Sequence, residues 1–311
     1  MAAQILAVII FIVMFGLIIW DHIERHIVSL GCGLLTLVLV FGVCMHSEAA
    51  AAETLSLHSF MIPNFWFQTE AAAESSSGIN WATILFIAGM MLMVEGMERA
   101  GFFRWLCLTI AKAVHYKTIP IFISFMLMSA LLAMFIDSIT VILFLAAVTV
   151  ELAHLLHFDP IPMIISEIFC SNLGGSATMC GDPPNIIIGT SLGYSFKDFI
   201  LNTGVATVFV IIVGLICMYF IYGRKLFVTD ESIAKVMQLD ENKAIKDRKL
   251  MHESVIVIIL VALCFIFHDQ LGVQSCTVAI AAACIMLLIG GQEPEEIIAD
   301  VEWPTILFFI G

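Results

Sequence analysis

Long apolar runs without a charged residue begin at the start of this 311-residue sequence. Residues 2–20 and 27–45 contain no Lys, Arg, Asp or Glu. A helix of about 20 apolar residues spans the hydrocarbon core of a bilayer and satisfies its own backbone hydrogen bonds there. The whole chain has 61% hydrophobic and 13% charged residues, about half the charged share of a soluble domain. These runs predict an all-α, multi-pass integral membrane protein of the cell membrane, with lipid around it.

The few basic residues predict how the chain crosses the membrane. Eleven of the thirteen Lys and Arg residues lie in residues 99–117 and 224–249, which should therefore face the cytoplasm. Residues 46–80 contain four Glu and no Lys or Arg, which predicts an outside segment. After the first two runs, the predicted helical segments are 81–98, 118–136, 139–157, 161–190, 198–222, 254–267 and 272–290. A crossing at each keeps the parity consistent, and residues 118–157 can either cross fully or form a re-entrant hairpin.

Charge and cysteine content exclude other classes of protein. The formal net charge is −13, which repels phosphate groups and excludes nucleic acid as a partner. The nine cysteines stand alone, without a C-x-x-C pair, and are predicted to pack as small apolar residues.

A short internal repeat predicts two related units. Residues 80–89 (NWATILFIAG) match residues 302–311 (EWPTILFFIG) at an offset of 222 positions. The first copy should run inward and the second outward, as in inverted-repeat secondary transporters. We therefore expect a first unit at residues 1–225, a cytoplasmic linker at 226–252 and the start of an inverted second unit at 253–311. If the second unit has the length of the first, about 130 of its residues follow Gly311, and these 311 residues hold half of a binding site.

The most polar stretch in an apolar context runs from Ser171 to Asn185. Pro183 and Pro184 lack amide donors and, with Gly174, Gly175 and Gly181, should break the helix over 161–190. Unwound backbone within the membrane occurs where it is buried in protein or lines a wet cavity. Asp182 adds a carboxylate, which is costly in the membrane and usually functional. The stretch predicts an ion or substrate site; the alternative is a structural kink.

A second polar island, Asp137-Ser138-Ile139-Thr140, interrupts another apolar run. If residues 118–157 form a hairpin, the island is its tip, where the exposed backbone groups of helix ends can bind charge. The alternative is an ordinary turn at the membrane surface. The two islands are close enough in sequence to meet at one site.

Other acidic residues have weaker claims. Glu95 and Glu98 are interpreted as interfacial. Glu167 lies one turn before Ser171 and could face the same cavity, but it is not predicted as a ligand. Glu151, His154 and His157 have the E-x-x-H-x-x-H spacing of a metal site, which leaves a membrane metal enzyme as a remote alternative.

The motifs FIDSIT at 135–140, NLGGSAT at 172–178 and GDPPNIII at 181–188 resemble the ion transporter superfamily. The similar branch contains arsenite permeases, sodium/proton antiporters and the melanosomal P protein, and the resemblance implies a citrate transporter-like domain. The similarity extends from about Trp81 to Phe199. Members usually have Asp-Asn where this chain has Asp137-Ser138.

The resemblance implies two inverted repeats, each with a re-entrant hairpin and a broken helix, and a homodimer. It also implies that the tip and the break jointly form half of a cation-linked substrate site. The predicted site residues are Asp137, Ser138, Thr140, Asn172, Gly174, Gly175, Thr178, Gly181, Asp182, Pro183, Pro184 and Asn185.

These observations predict a secondary transporter rather than an enzyme, with sodium/proton antiport by alternating access as the leading hypothesis. Asp137 and Asp182 would bind the cation, and no cofactor is expected apart from a bound sodium ion. The alternative is a sodium- or proton-coupled carrier of arsenite, citrate or a dicarboxylate.

Overall fold

The computed structural model describes residues 2–67, 78–192, 194, 196–223, 248–289 and 294–311. Within these ranges the chain is helical and contains no strand, only an isolated bridge between Phe67 and Val273. The helices, numbered here in chain order, are α1 Ala2–Trp20, α2 Arg25–Leu35, α3 Glu48–Leu55, α4 Pro63–Trp66, α5 Trp81–Arg99, α6 Phe102–Ala113, α7 Thr118–Ala133, α8 Ser138–Leu156, α9 Ile161–Gly175, α10 Pro183–Leu192, α11 Phe196–Phe199, α12 Val205–Tyr222, α13 Arg248–Leu271, α14 Ser275–Ile289, α15 Pro294–Asp300 and α16 Trp303–Ile310. Short π-helical segments, Thr36–Cys44 and Ile200–Gly204, extend α2 and join α11 to α12.

The long apolar helices confirm the predicted class, an all-α multi-pass membrane protein. In the described part of the chain, the helices long and apolar enough to cross a membrane are Ala2–Trp20, Arg25–Cys44, Trp81–Arg99, Ser138–Leu156 and Phe196–Tyr222. Shorter apolar helices cover Thr118–Ala133, Ile161–Gly175, Met251–Phe267 and Ser275–Leu288. Most of the predicted linker, residues 226–247, lies outside the described residues.

The chain is interrupted at both predicted polar islands. The predicted segment at 161–190 ends its first helix at Gly175 and resumes at Pro183, where glycine and proline predict a break. The predicted passes at 118–136 and 139–157 are α7, which ends at Ala133, and α8, which begins at Ser138. The 16 residues of α7 measure about 24 Å, less than the hydrocarbon core, whereas α8 is long enough to cross, so the choice between a full crossing and a re-entrant hairpin stays a prediction.

Residues 99–117 contain a helix in addition to the predicted ones. The basic residues predict only that this stretch faces the cytoplasm, but α6 occupies most of it and buries Phe102, Phe103 and Cys107 on one face. The segment is therefore a packed amphipathic helix.

Contacts between distant segments join residues that are predicted to lie on the same side of the membrane. On the predicted outside, Gln274 donates its backbone N–H to the Trp66 carbonyl at 3.1 Å. On the predicted inside, Arg99 forms ion pairs with Glu296, at 2.6 Å, and with Asp300. The acidic turn before α16 therefore lies beside the basic end of α5.

Each copy of the repeat packs against a helix from the other part of the chain. Helix α5, from the first copy, packs on α14, and α16, from the second copy, packs on α2. A glycine lies at each crossing: a Cβ on Gly89 would lie 2.7 Å from the Ala279 carbonyl carbon, and Gly311 touches α2 at Ser29 and Gly33. Gly89 and Gly311 are the matching last positions of the repeat. Each copy of the repeat therefore contacts a helix of the other predicted unit.

Candidate functional site

Asp137 forms the tip of the α7–α8 hairpin. It is the N-cap of α8, and its Oδ2 accepts hydrogen bonds from the backbone N–H of Ile139 at 3.1 Å and of Thr140 at 3.2 Å. These N–H groups have no partner within a helix, so an aspartate cap satisfies them. The half-buried carboxylate is thereby fixed at the positive end of α8.

The break between α9 and α10 is held together by Asn185. Its Nδ2 donates to the carbonyl oxygens of Gly175 and Thr178, both at 2.9 Å. Its backbone N–H donates to the Asp182 carbonyl at 3.0 Å. One side chain thus satisfies two carbonyl groups that the interrupted helix leaves without intrahelical partners.

Ser138 joins the hairpin tip to the break. Its Oγ donates to Asp182 Oδ1 at 2.7 Å. From α9, Ser171 Oγ donates to the Ser138 carbonyl at 3.0 Å. Asp137 and Asp182 therefore meet at the first turn of α8.

Glycines bring the segments of the site close together. A Cβ on Gly174 would lie 2.7 Å from Ala130 Cα on α7, and a Cβ on Gly175 would lie 2.7 Å from the Asp182 carboxyl carbon. Real Cβ atoms essentially never lie this close to another heavy atom. Thr178 Oγ1 adds a hydrogen bond to the Met134 carbonyl. The break therefore packs directly on the hairpin.

A cleft runs from the tip toward the predicted cytoplasmic side. Among the predicted site residues, Asp137, Thr140, Gly181 and Pro183 line the cleft, whereas Asp182, Ser138 and Asn185 do not. Its wall also includes Glu95, Asp300 and Glu302. The cleft is thus acidic and opens beside the start of the predicted second unit.

Glu95, Asp300 and Glu302 were not among the predicted site residues. Glu95 was interpreted as interfacial, yet it lines the cleft and lies 3.5 Å from Arg99. The internal repeat is the sequence feature that could have indicated Glu302. This residue aligns with Asn80, the N-cap of α5.

Two residues near the break lie away from the cleft. The Asn172 side chain is exposed and donates to the Ile168 carbonyl of its own helix at 2.8 Å. Glu167 is fully buried in α9 and does not line the cleft.

The side chains of the possible metal-ligand motif have other surroundings. Glu151 Oε1 accepts a hydrogen bond from Arg104 at 2.6 Å, and His154 is exposed. Over the described ranges, no cluster of three or more His, Cys, Asp or Glu side chains is arranged to hold a metal ion.

Known proteins resemble this chain along most of its length. The family model described as "Citrate transporter" matches residues 7–311. An uncharacterized transporter of Mycobacterium tuberculosis is 35% identical over 235 residues, which cover 76% of this chain and 54% of that protein. A 46 kDa membrane protein of Mycobacterium leprae is 29% identical over 308 residues, 99% of this chain and 66% of that protein.

The human P protein is 30% identical over 155 residues, which cover 48% of this chain and 18% of that protein. The chain spans only about half to two thirds of the length of the mycobacterial relatives. The match over residues 7–311, with the apolar helices, identifies a multi-pass integral membrane protein of a transporter family. The chain belongs to the citrate transporter family.

Proposed function

We propose that this transporter exchanges sodium ions for protons by alternating access, with Asp137 and Asp182 in the cation site. The observation that carries the proposal is the arrangement of both carboxylates around the first turn of α8. A sodium ion prefers oxygen ligands, as other hard cations do. Thr140, Asn185 and the carbonyl groups near Gly181 are the further oxygen donors in this region.

The donors of the helix N-termini favour a cation over an anion. The backbone N–H groups of Ile139 and Thr140 already bind the Asp137 carboxylate. At α10, Pro183 and Pro184 have no N–H group. An anion would need free N–H donors at these helix N-termini. A cation would instead bind the carboxylate oxygens that accept hydrogen bonds from those N–H groups.

A proton and a sodium ion compete for the same carboxylate oxygens. A site that holds one of them at a time exchanges the two if it opens alternately to each side of the membrane. In the wall of the cleft, Glu302 is a carboxylate that attracts cations from the predicted cytoplasmic side, while Glu95 and Asp300 lie within ion-pair distance of Arg99.

The test uses the full-length protein in lipid vesicles that carry a pH gradient and a pH-sensitive dye. A pulse of sodium should dissipate the gradient, and Asp182→Asn should abolish this response. Asp159→Asn is the matched control, because Asp159 lies in an exposed turn and binds the Ile161 backbone N–H at 3.1 Å. Unchanged exchange by Asp182→Asn overturns the proposal.

The second candidate is a carrier that takes up citrate, arsenite or a dicarboxylate together with a cation. The description of the family as a citrate transporter favours it. In such a carrier the cation at Asp137 and Asp182 would offset the repulsion between those carboxylates and an anionic substrate. Thermal stability separates the candidates: sodium alone should stabilise an antiporter, whereas citrate should stabilise a symporter only when sodium is present.

A further inference from the structure

A second carboxyl group lies inside the helix bundle, apart from the cation site. Glu167 is 0% exposed and lies in α9, which packs on α7 and α8. Its Oε1 accepts a hydrogen bond from Thr149 Oγ1 of α8 at 2.6 Å, and its backbone carbonyl accepts one from Ser129 Oγ of α7 at 2.7 Å. The residue therefore lies where these three helices meet.

The other oxygen of this carboxyl has no hydrogen-bond partner within the described part of the chain. Glu167 Oε2 is buried and unpaired, and no basic side chain of the described residues forms an ion pair with Glu167. A charged carboxylate buried without a cation is far more costly than a neutral carboxyl group with one unpaired oxygen. The packing therefore favours the protonated form.

The surrounding titratable groups do not supply a positive charge. Cys170 on α9 and Cys107 on α6 are ionisable side chains close to Glu167, and both are buried thiols. Helix α7 has no ionisable residue, and on α8 Glu151 pairs with Arg104 while His154 is exposed. Helix α12 contributes Cys217, Tyr219 and Tyr222, all neutral groups.

The helices that enclose Glu167 also hold the cation site. Ser171, one turn after Glu167 and on the same face of α9, binds the Ser138 carbonyl, and the Ser138 hydroxyl binds Asp182. Because Glu167 is fully buried and α9 packs on α7 and α8, separation of these helices gives water a route to it. The same separation breaks the Ser171–Ser138 contact.

We propose that Glu167 is a second proton-binding site of this transporter, protonated while α7, α8 and α9 are packed and deprotonated when their interface opens. Proton occupancy then stabilises the packed arrangement, because the charged form is disfavoured there. The exchange of this proton during transport rests on the proposed function; its presence in the packed state does not.

Infrared spectroscopy of the full-length protein in lipid tests the protonated state without measuring transport. The C=O stretching band of protonated carboxyl groups should lose intensity in Glu167→Gln and keep it in Glu151→Gln, the control on α8. Glutamine retains the oxygen that accepts from Thr149. Unchanged intensity in Glu167→Gln at neutral pH overturns the proposal.

A second variant keeps the test valid if Glu167→Gln fails to fold. Thr149→Val preserves the shape of the side chain and removes the hydrogen bond to Oε1, so the Glu167 C=O band should shift to higher frequency. A band that does not move contradicts the assignment to Glu167.

Transport measurements test whether the Glu167 proton is exchanged. In vesicles, Glu167→Gln should still bind sodium but move fewer protons per sodium ion, with a flatter dependence of exchange on pH. An identical stoichiometry and pH profile in the variant overturns the coupling. If the unsubstituted protein shows no sodium/proton exchange, the proposed function fails, and the infrared band still decides the protonation of Glu167.

Discussion

Helix α1 and the interrupted pair α9–α10 are both predicted from apolar sequence, but their small and polar residues have different surroundings. None of the residues of α1 is buried, and nothing lies within 4 Å of the Cβ position of Gly16. In α9, by contrast, Glu167, Ser171 and Gly174 are buried against neighbouring helices. Apolar composition thus predicts that both segments lie in the membrane. Small and polar residues buried in the bundle indicate which segment contributes to the candidate site.

The largest expected difference between these helices is at their glycines. Gly174→Ala places a Cβ 2.7 Å from Ala130 Cα, so α7 and α9 must move apart. We expect the free energy of unfolding to fall by about 3 kcal/mol, at the upper end for overpacking. Thermal or denaturant unfolding in mixed micelles measures this change. Gly16→Ala is the control, and equal stability of the two variants would show that the close approach is unimportant.

Two asparagines near the break, one holding its carbonyl groups and one exposed on α9, should differ in their effect on stability. Asn185→Ala leaves the Gly175 and Thr178 carbonyl groups without their donor, and we expect a loss of about 2 kcal/mol. Asn172→Ala removes one exposed hydrogen bond, so its effect should be much smaller. Unfolding of both variants in the same lipid mixture measures the difference. The reverse order would place the functional amide at Asn172.

A smaller effect is expected at the contact between the tip and the break. Ser138→Ala removes the hydroxyl that binds Asp182, and interhelical hydrogen bonds in membrane proteins contribute about 1 kcal/mol. The stabilisation of the protein by sodium should decrease, since Asp182 loses its fixed orientation. Ser176→Ala, on the exposed side of the break, should leave sodium-dependent melting unchanged. Equal sodium responses would contradict the role of Ser138.

The smallest effect is expected on the surface of the α6–α8 contact. Arg104→Ala removes the partially exposed ion pair with Glu151, which should contribute less than about 1 kcal/mol. His154→Ala should not alter stability or transport. A loss of transport accompanied by loss of bound iron or zinc from the purified protein would instead support the metal motif.

Local sequence predicts most of the described helices and both interruptions. Pro183 and Pro184 act on the backbone of their own turn, and Asp137 caps the helix that follows it. Such effects depend on neighbours in sequence, which is why the boundaries near Gly175 and Ser138 agree with the predictions.

Contacts between distant segments could not be predicted in the same way. Arg99 pairs with Glu296 and Asp300, about 200 positions later, and no local pattern encodes this choice of partners. Burial of Glu167 in the three-helix junction likewise depends on how α7, α8 and α9 pack. The predicted site residues stay a prediction until a bound ion or a transport assay tests them.

The exchange of partners between the two repeat copies has a consequence for biosynthesis. Helix α5 packs on α14, which is translated long after α5 has entered the membrane. Until then, the face around Gly89 has to be covered by lipid or by an insertion factor. The order of synthesis therefore leaves α5 without its native neighbour until α14 has been synthesised.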